Sequence, residues 1–222
     1  QTCALPISLK TRNLQFQTIN CMQYRFSFPN RVSRFAEIEF LVNDLSTEEV
    51  EVCLPSWRPG RYELGNFAKN VRSWQALDKQ DQPLLSKKIA KDCWLVQLNG
   101  SETLKVRYEY YCSQPDAGAC WIDEQLVYIN PVHCCLFIPE RLNEPCSVTL
   151  DLPKDHSVAC SMQSTGHGVF SAIDFHELVD SPWMAAAGLK HGKYEIGNTA
   201  FHIWFHGNVQ PEWEKVTSDF KK

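Results

Sequence analysis

The block His176-Glu177-Leu178-Val179-Asp180 has the spacing of a zinc-peptidase helix, with an aspartate where the second histidine belongs. In His-Glu-x-x-His, two imidazoles one helical turn apart face the same ion while the glutamate activates its water. Asp180 is a competent ligand type, but Ser181-Pro182 follows at once and ends a helix before it has room to form. The block therefore reads as a short capped turn. The other histidines are scattered at 133, 156, 167, 191, 202 and 206. His202 and His206 share a face if their segment is a strand, yet they would lie about 13 Å apart by strand rise, too far for one metal. His133-Cys134-Cys135 sounds like a ligand cluster, but on a strand over 133–138 successive side chains point to opposite faces. It cannot then give three ligands to one ion. There is no C-x-x-C pair, glycine-rich phosphate loop, glycine-serine elbow or EF-hand spacing. Against a Cys-His nucleophile, the commoner outcome is a buried structural cysteine. The residues point to no catalytic centre and no metal site within this span.

What stands out instead is the run from Leu54 to Tyr62, LPSWRPGRY. Pro59-Gly60 reads as a tight turn and Trp57 as its apolar anchor, leaving Arg58, Arg61 and Tyr62 to project. The plain structural role of such a loop is to plug one end of a sandwich. A second segment, Tyr128 to Asn130, combines an aromatic with an amide that both donates and accepts. Its plain role is to end a strand before Pro131.

The elements that must position these residues are strands. Met22, Tyr24, Phe26 and Phe28 alternate with polar residues, as do apolar positions in 33–42 and 49–54, a period-2 pattern that suggests a meander. Further strand candidates lie at 71–77, 93–98, 104–111, 119–129, 133–138, 146–150, 168–173, 193–196 and 200–206. Asn99-Gly100 is a hairpin-turn signal between two of them. Helical character is confined to 66–71, 175–179 and the C-terminal EWEKVTSDFKK. The expectation is an all-β, mostly antiparallel β-sandwich with few short helices. It occupies 22–206, with 1–21 an N-terminal extension or edge strand and 207–222 a linker or the start of another domain.

Composition limits the partners. The 222 residues carry 22 Lys plus Arg against 26 Asp plus Glu, a net charge of -4, with no basic cluster to track a phosphate backbone. Nucleic acid is disfavoured. No run approaches 18 apolar residues and no signal sequence is visible, so no membrane partner is expected. Ten cysteines permit disulfides, but a core of this size needs none, and free cysteines bury readily. The expectation is a reduced, cytoplasmic protein, with export left open because the chain starts at Gln1; Cys112 to Cys120 is the foremost candidate bridge.

Several spaced blocks together resemble the N-terminal domain of the M61 family of zinc aminopeptidases, the glycyl aminopeptidase group that often also carries a PDZ domain. They are Tyr24 to Pro29; Pro55, Trp57, Pro59, Gly60 and Tyr62; Phe67, Ala68 and Val71; Trp121-Ile122-Asp123-Glu124; Tyr128-Ile129-Asn130; and His176 to Pro182. The chain departs from the family pattern at Arg61, at Leu126-Val127 and at His133-Cys134-Cys135. The resemblance implies a non-catalytic domain, with no cofactor of its own and zinc in a following catalytic domain. That catalytic domain would be its partner, with peptides at a shared cleft. Trp57, Arg58, Arg61, Tyr62, Tyr128 and Asn130 become candidates for the substrate or domain interface. The competing reading is an immunoglobulin-like β-sandwich that binds protein partners.

Overall fold

The computed structural model describes residues 21–58, 63–115 and 118–220. The expected N-terminal extension, apart from Cys21, lies outside the described residues, as do Arg61 and Tyr62.

Strand alternation sets the layers. In β1 (Met22–Ser27) and β2 (Phe35–Val42), Met22, Tyr24, Phe26, Ala36, Ile38, Phe40 and Val42 are buried, while Arg25, Glu37 and Glu39 face outward. β1 pairs antiparallel with β2, Tyr24 opposite Phe40. β2 pairs with β7 (Leu104–Tyr111), and β7 with β4 (Val71–Leu77). On its other edge β1 runs parallel to β10 (Cys146–Leu150), which continues to β13 (Val169–Ala172) and β12 (Gln163–Gly166), making seven strands. Two smaller sheets complete the sandwich. One has the order β3 (Glu49–Cys53), β6 (Cys93–Gln97), β5 (Ser86–Lys88); the other is β11 (His156–Ala159), β14 (Trp183–Ala187), β9 (Leu126–Ile129), β8 (Trp121–Ile122). One continuous core joins all three sheets. Trp74 of β4 stacks on Trp94 of β6 at 4.1 Å, and Phe26 of β1 meets the edge of fully buried Trp183 of β14 at 5.7 Å. A two-stranded hairpin, β15 (Lys190–Ile196) and β16 (Thr199–Phe205), and two helices, α1 (Phe175–Val179) and α2 (Trp213–Phe220), follow from the patterns that announced them.

The all-β reading holds, with local corrections. Asn99 and Gly100 do turn with positive φ of 50° and 82°. The strands they join enter different sheets, however, so the turn makes a crossover rather than a hairpin. The meander likewise stops after β2, because β3 takes its strand partner β6 in the three-stranded sheet. The stretch expected as a strand over 119–129 is broken at Asp123, whose Oδ1 accepts the N–H groups of Gln125 and Leu126 and turns β8 into β9.

Residues 133–138 are not a strand. Pro131–His133 form a 3-10 turn, and His133, Cys134 and Cys135 are all buried rather than alternating. The backbone carbonyls of this segment find partners in side chains: Tyr24 donates its phenol to Leu136 O at 2.6 Å and Tyr108 to Cys134 O at 2.5 Å. Phe137 makes a single bridge to Cys53.

The cysteine expectation is also corrected. Cys53 and Cys93 face each other directly in the β3–β6 register and form a disulfide, with Cα atoms 4.1 Å apart. Cys112 and Cys120 carry free thiols.

Candidate functional site

The loop after β3 is anchored by Leu54 and Pro55, which are buried, and closed by Gly65 N–H donating to Ser56 O at 2.7 Å. Trp57 is not the anchor expected from its type; it is 46% exposed. The geometry explains why. The two residues continuing from the buried end of β3 already fill the interior, so the indole two positions further on stands at the rim.

Arg58 reaches across to the segment before β8, where its Nη1 donates to Gly118 O at 2.6 Å. A Cβ at position 118 would overlap the guanidinium, so the contact needs glycine there. Together these segments enclose a cavity of about 160 Å³ lined by Arg58, Phe67, Gln114, Ala119 and His133, among others. The His133 ring lies face to face on Phe67, centroids 3.9 Å apart.

Asn130 leads into the turn that brings His133 to this cavity. It precedes the 3-10 turn that delivers His133, whose N–H donates to Asn130 O at 3.0 Å. Its own N–H points at Cys120 Sγ, 3.4 Å away, and the residue is 8% exposed. Tyr128 occupies a different place. It lines a cavity of about 840 Å³ between β14 and β16, with Trp183, Met184, Phe201 and Trp204. The structure thus brings Arg58 and the Asn130 turn together, while Tyr128 looks onto the C-terminal hairpin.

Three features of this region were not apparent in the sequence. Phe67 and His133 stack although they are 66 positions apart, and only the fold brings them together. His191 and His202 meet across the hairpin, Nε2 to Nδ1 at 2.8 Å, so His202 has a cross-strand neighbour in His191. Cys120 is tied to the Asn130 turn, its thiol donating to Asn130 O at 3.6 Å while Asn130 N–H approaches the sulfur at 3.4 Å.

The zinc-like block resolves into a cap. Asp174 Oδ1 accepts Glu177 N–H at 2.8 Å and so caps α1, while the Glu177 carboxylate reaches back to accept Ile173 N–H, just before the cap, at 2.5 Å. Glu177 is thereby occupied in holding backbone. Among the described residues no group of three His, Cys, Asp or Glu is arranged to hold a metal ion.

Fold and site define a β-sandwich domain that displays an arginine-tethered aromatic loop at one end. Residues 23–187 match the Peptidase M61 N-terminal domain, and the chain belongs to that family. No curated protein sequence matches the chain. Among solved structures it is similar to an aminopeptidase N family protein from Idiomarina loihiensis, with a TM-score of 0.82 at 20% identity. The likeness covers 90% of this chain and 35% of that one, so the chain spans about a third of the longer protein's length. At that identity the likeness is one of fold.

Proposed function

We propose that this chain is the non-catalytic N-terminal domain of an M61-like zinc aminopeptidase, in which it forms one wall of the substrate cleft. The observation that carries the reading is the family match over residues 23–187. A solved relative in fold that extends well beyond the matched part supports it. The zinc and its ligands are assigned to a following catalytic domain, where the metal would activate a water to cut short peptides from the amino end. This domain's own contribution is shape and contacts. Exposed Trp57 and the tethered Arg58 provide the aromatic and guanidinium groups enriched at interfaces, on a loop held in place by Gly118 and Ser56. Asn130 leads into the turn at the same end.

The test uses the full-length protein and this chain side by side. Chelation should abolish release of the amino-terminal residue from short peptides by the full-length protein, and added zinc should restore it. The 222-residue chain should do neither and should hold well below one zinc. Peptide release by the chain alone, or a full-length protein indifferent to chelation, would remove the proposal.

A further inference from the structure

We propose that the outer edge of β16 is a docking surface for a β-strand from the chain that follows α2 in the full-length protein. Alternate side chains of that strand would enter the gap between β16 and β14. The proposal rests on reading this chain as the N-terminal part of a longer protein.

Register defines the edge. Gly197, with a φ of 58°, and Asn198 make a two-residue turn, and Ile196 and Thr199 on either side of it form the first hydrogen-bonded pair. Antiparallel pairs alternate, so Phe201 and Ile203 also turn their backbone groups toward β15, while Ala200, His202 and Trp204 turn theirs away from it. Among the described residues no strand other than β15 pairs with β16, and no other backbone group bonds to it.

This edge lacks the protection that the others carry. Sheets blunt an open edge with charge, with bulges or by keeping it short, because unpaired backbone groups invite another strand. β12 and β4 are bulged, β5 carries Lys87 and Lys88, β3 carries Glu49 and Glu51, and β8 and β11 are two and four residues long. β15 has Lys190, Lys193 and Glu195. β16, Thr-Ala-Phe-His-Ile-Trp-Phe, runs seven residues with no bulge, proline, glycine, carboxylate, lysine or arginine. A two-stranded hairpin is marginal by itself, and Tyr194 is the one buried side chain in this pair of strands. A third strand on β16 would remove both liabilities.

The gap of about 840 Å³ fits the side chains such a strand would bring. Ala200, His202 and Trp204, whose backbone groups turn outward, line one side of it, and Tyr128, Trp183 and Met184 line the other. No Lys, Arg, Asp or Glu faces into it. An added strand places its side chains alternately on the two faces, so this lining selects a segment that is apolar or small at every second position.

The occupant follows from where the chain leads. The hairpin's other face is already covered by α2: Trp213 lies so close over Gly192 that a Cβ there would overlap the indole, and Phe220 stacks near Tyr194, centroids 6.4 Å apart. The chain after α2 therefore sets out beside the hairpin, and a tethered segment acts at high effective concentration. The family match ends at residue 187, before the hairpin, and the solved structure similar in fold extends well beyond the part that this chain covers.

Hydrogen exchange at single-amide resolution, compared between the 222-residue chain and the full-length protein, tests this. The amides of Ala200, His202 and Trp204 should exchange at least about tenfold more slowly in the full-length protein. Those of Phe201 and Ile203, already bonded to β15, should change much less. Ala200→Pro removes an outward N–H and blocks the edge without touching the hairpin's own bonds, so in the full-length protein it should abolish the slowing at His202 and Trp204. The unaltered proteins decide the matter even if this variant folds poorly. The proposal is overturned if the three outward amides exchange equally fast in both proteins. It is also overturned if the slowing appears in the 222-residue chain as its concentration rises, which would mean a second copy on the edge, or if it requires an added peptide. Zinc-dependent peptidase activity without the slowing would sink this proposal alone, and the slowing in a full-length protein indifferent to chelation would sink only the peptidase reading.

Discussion

Replacing Tyr108 by phenylalanine isolates the device that holds the segment 134–136 against the seven-stranded sheet. The phenol donates to Cys134 O at 2.5 Å in a site where the tyrosine is 2% exposed and Cys134 is fully buried. Burial, together with the neighbouring thiols, holds the hydroxyl well above the ordinary tyrosine range, so it is a neutral donor at pH 7. The substitution removes little volume but leaves a buried carbonyl without its phenol partner, which costs about 2 kcal/mol within the usual range of 1–3. For a chain of this length that should lower Tm by about 4–8 °C. Tyr24→Phe, which frees Leu136 O in the same way, should cost a similar amount. Because both phenols hold one segment, the double variant should show a coupling of about 0.5 kcal/mol or more rather than simple addition. Urea unfolding followed by tryptophan fluorescence, with the slope compared between variants, reads all three. A loss under about 0.5 kcal/mol for Tyr108→Phe would show that the segment is held by packing and that the phenols matter little.

Acid should weaken the fold in a predictable direction. At Asp123, burial pushes the carboxyl up, but Trp121 Nε1–H and the backbone N–H groups of Leu126 and Gln125 outweigh it and hold it below the usual range. A depressed folded pKa means stability present above the unfolded value of about 3.9 and lost as pH falls through the folded one. Asp123→Asn should therefore flatten the decline in unfolding midpoint between pH 5 and 2, and an unchanged slope would contradict this. Asp174→Ala removes the α1 cap and should cost about 1 kcal/mol in the same urea assay, where no change would mean that α1 is held by its buried Phe175 and Leu178 alone.

Much of the fold was legible because a half-buried strand announces itself by period. β1, β2, β7 and β10 each bury alternate residues and stand where the pattern put them. The strands that escaped notice lack that signal. β12 is exposed along its whole length, β5 is three polar residues, and β14 reads Trp-Met-Ala-Ala-Ala, rich in a residue with weak strand preference. The misread strand over 133–138 is apolar because it is buried, and its carbonyls are satisfied by tyrosines more than twenty positions away, which no local pattern reveals.

The site divides in the same way. Residue types singled out the proline-rich loop, and the structure ties Arg58 to Gly118 beside the Asn130 turn. Which residue would be the anchor depended on where β3 ends, so Trp57 came out at the rim. The cysteine pairing turned on register. Direct opposition joins Cys53 to Cys93, whereas Cys112 and Cys120 sit diagonally across the Ser113–Trp121 bridge and keep free thiols.

If this domain lines the catalytic cleft with its rim residues, as proposed, replacing Trp57 with alanine in the full-length protein should lower kcat/KM on a short peptide with a free amino terminus. Loss of an aromatic contact at such an interface is worth about 2 kcal/mol or more, so kcat/KM should fall by roughly thirtyfold. The melting temperature of the isolated chain should stay within about 2 °C, as expected for a surface position. Full activity in the variant, or a loss accompanied by unfolding of the isolated chain, would mean that Trp57 does not line the cleft.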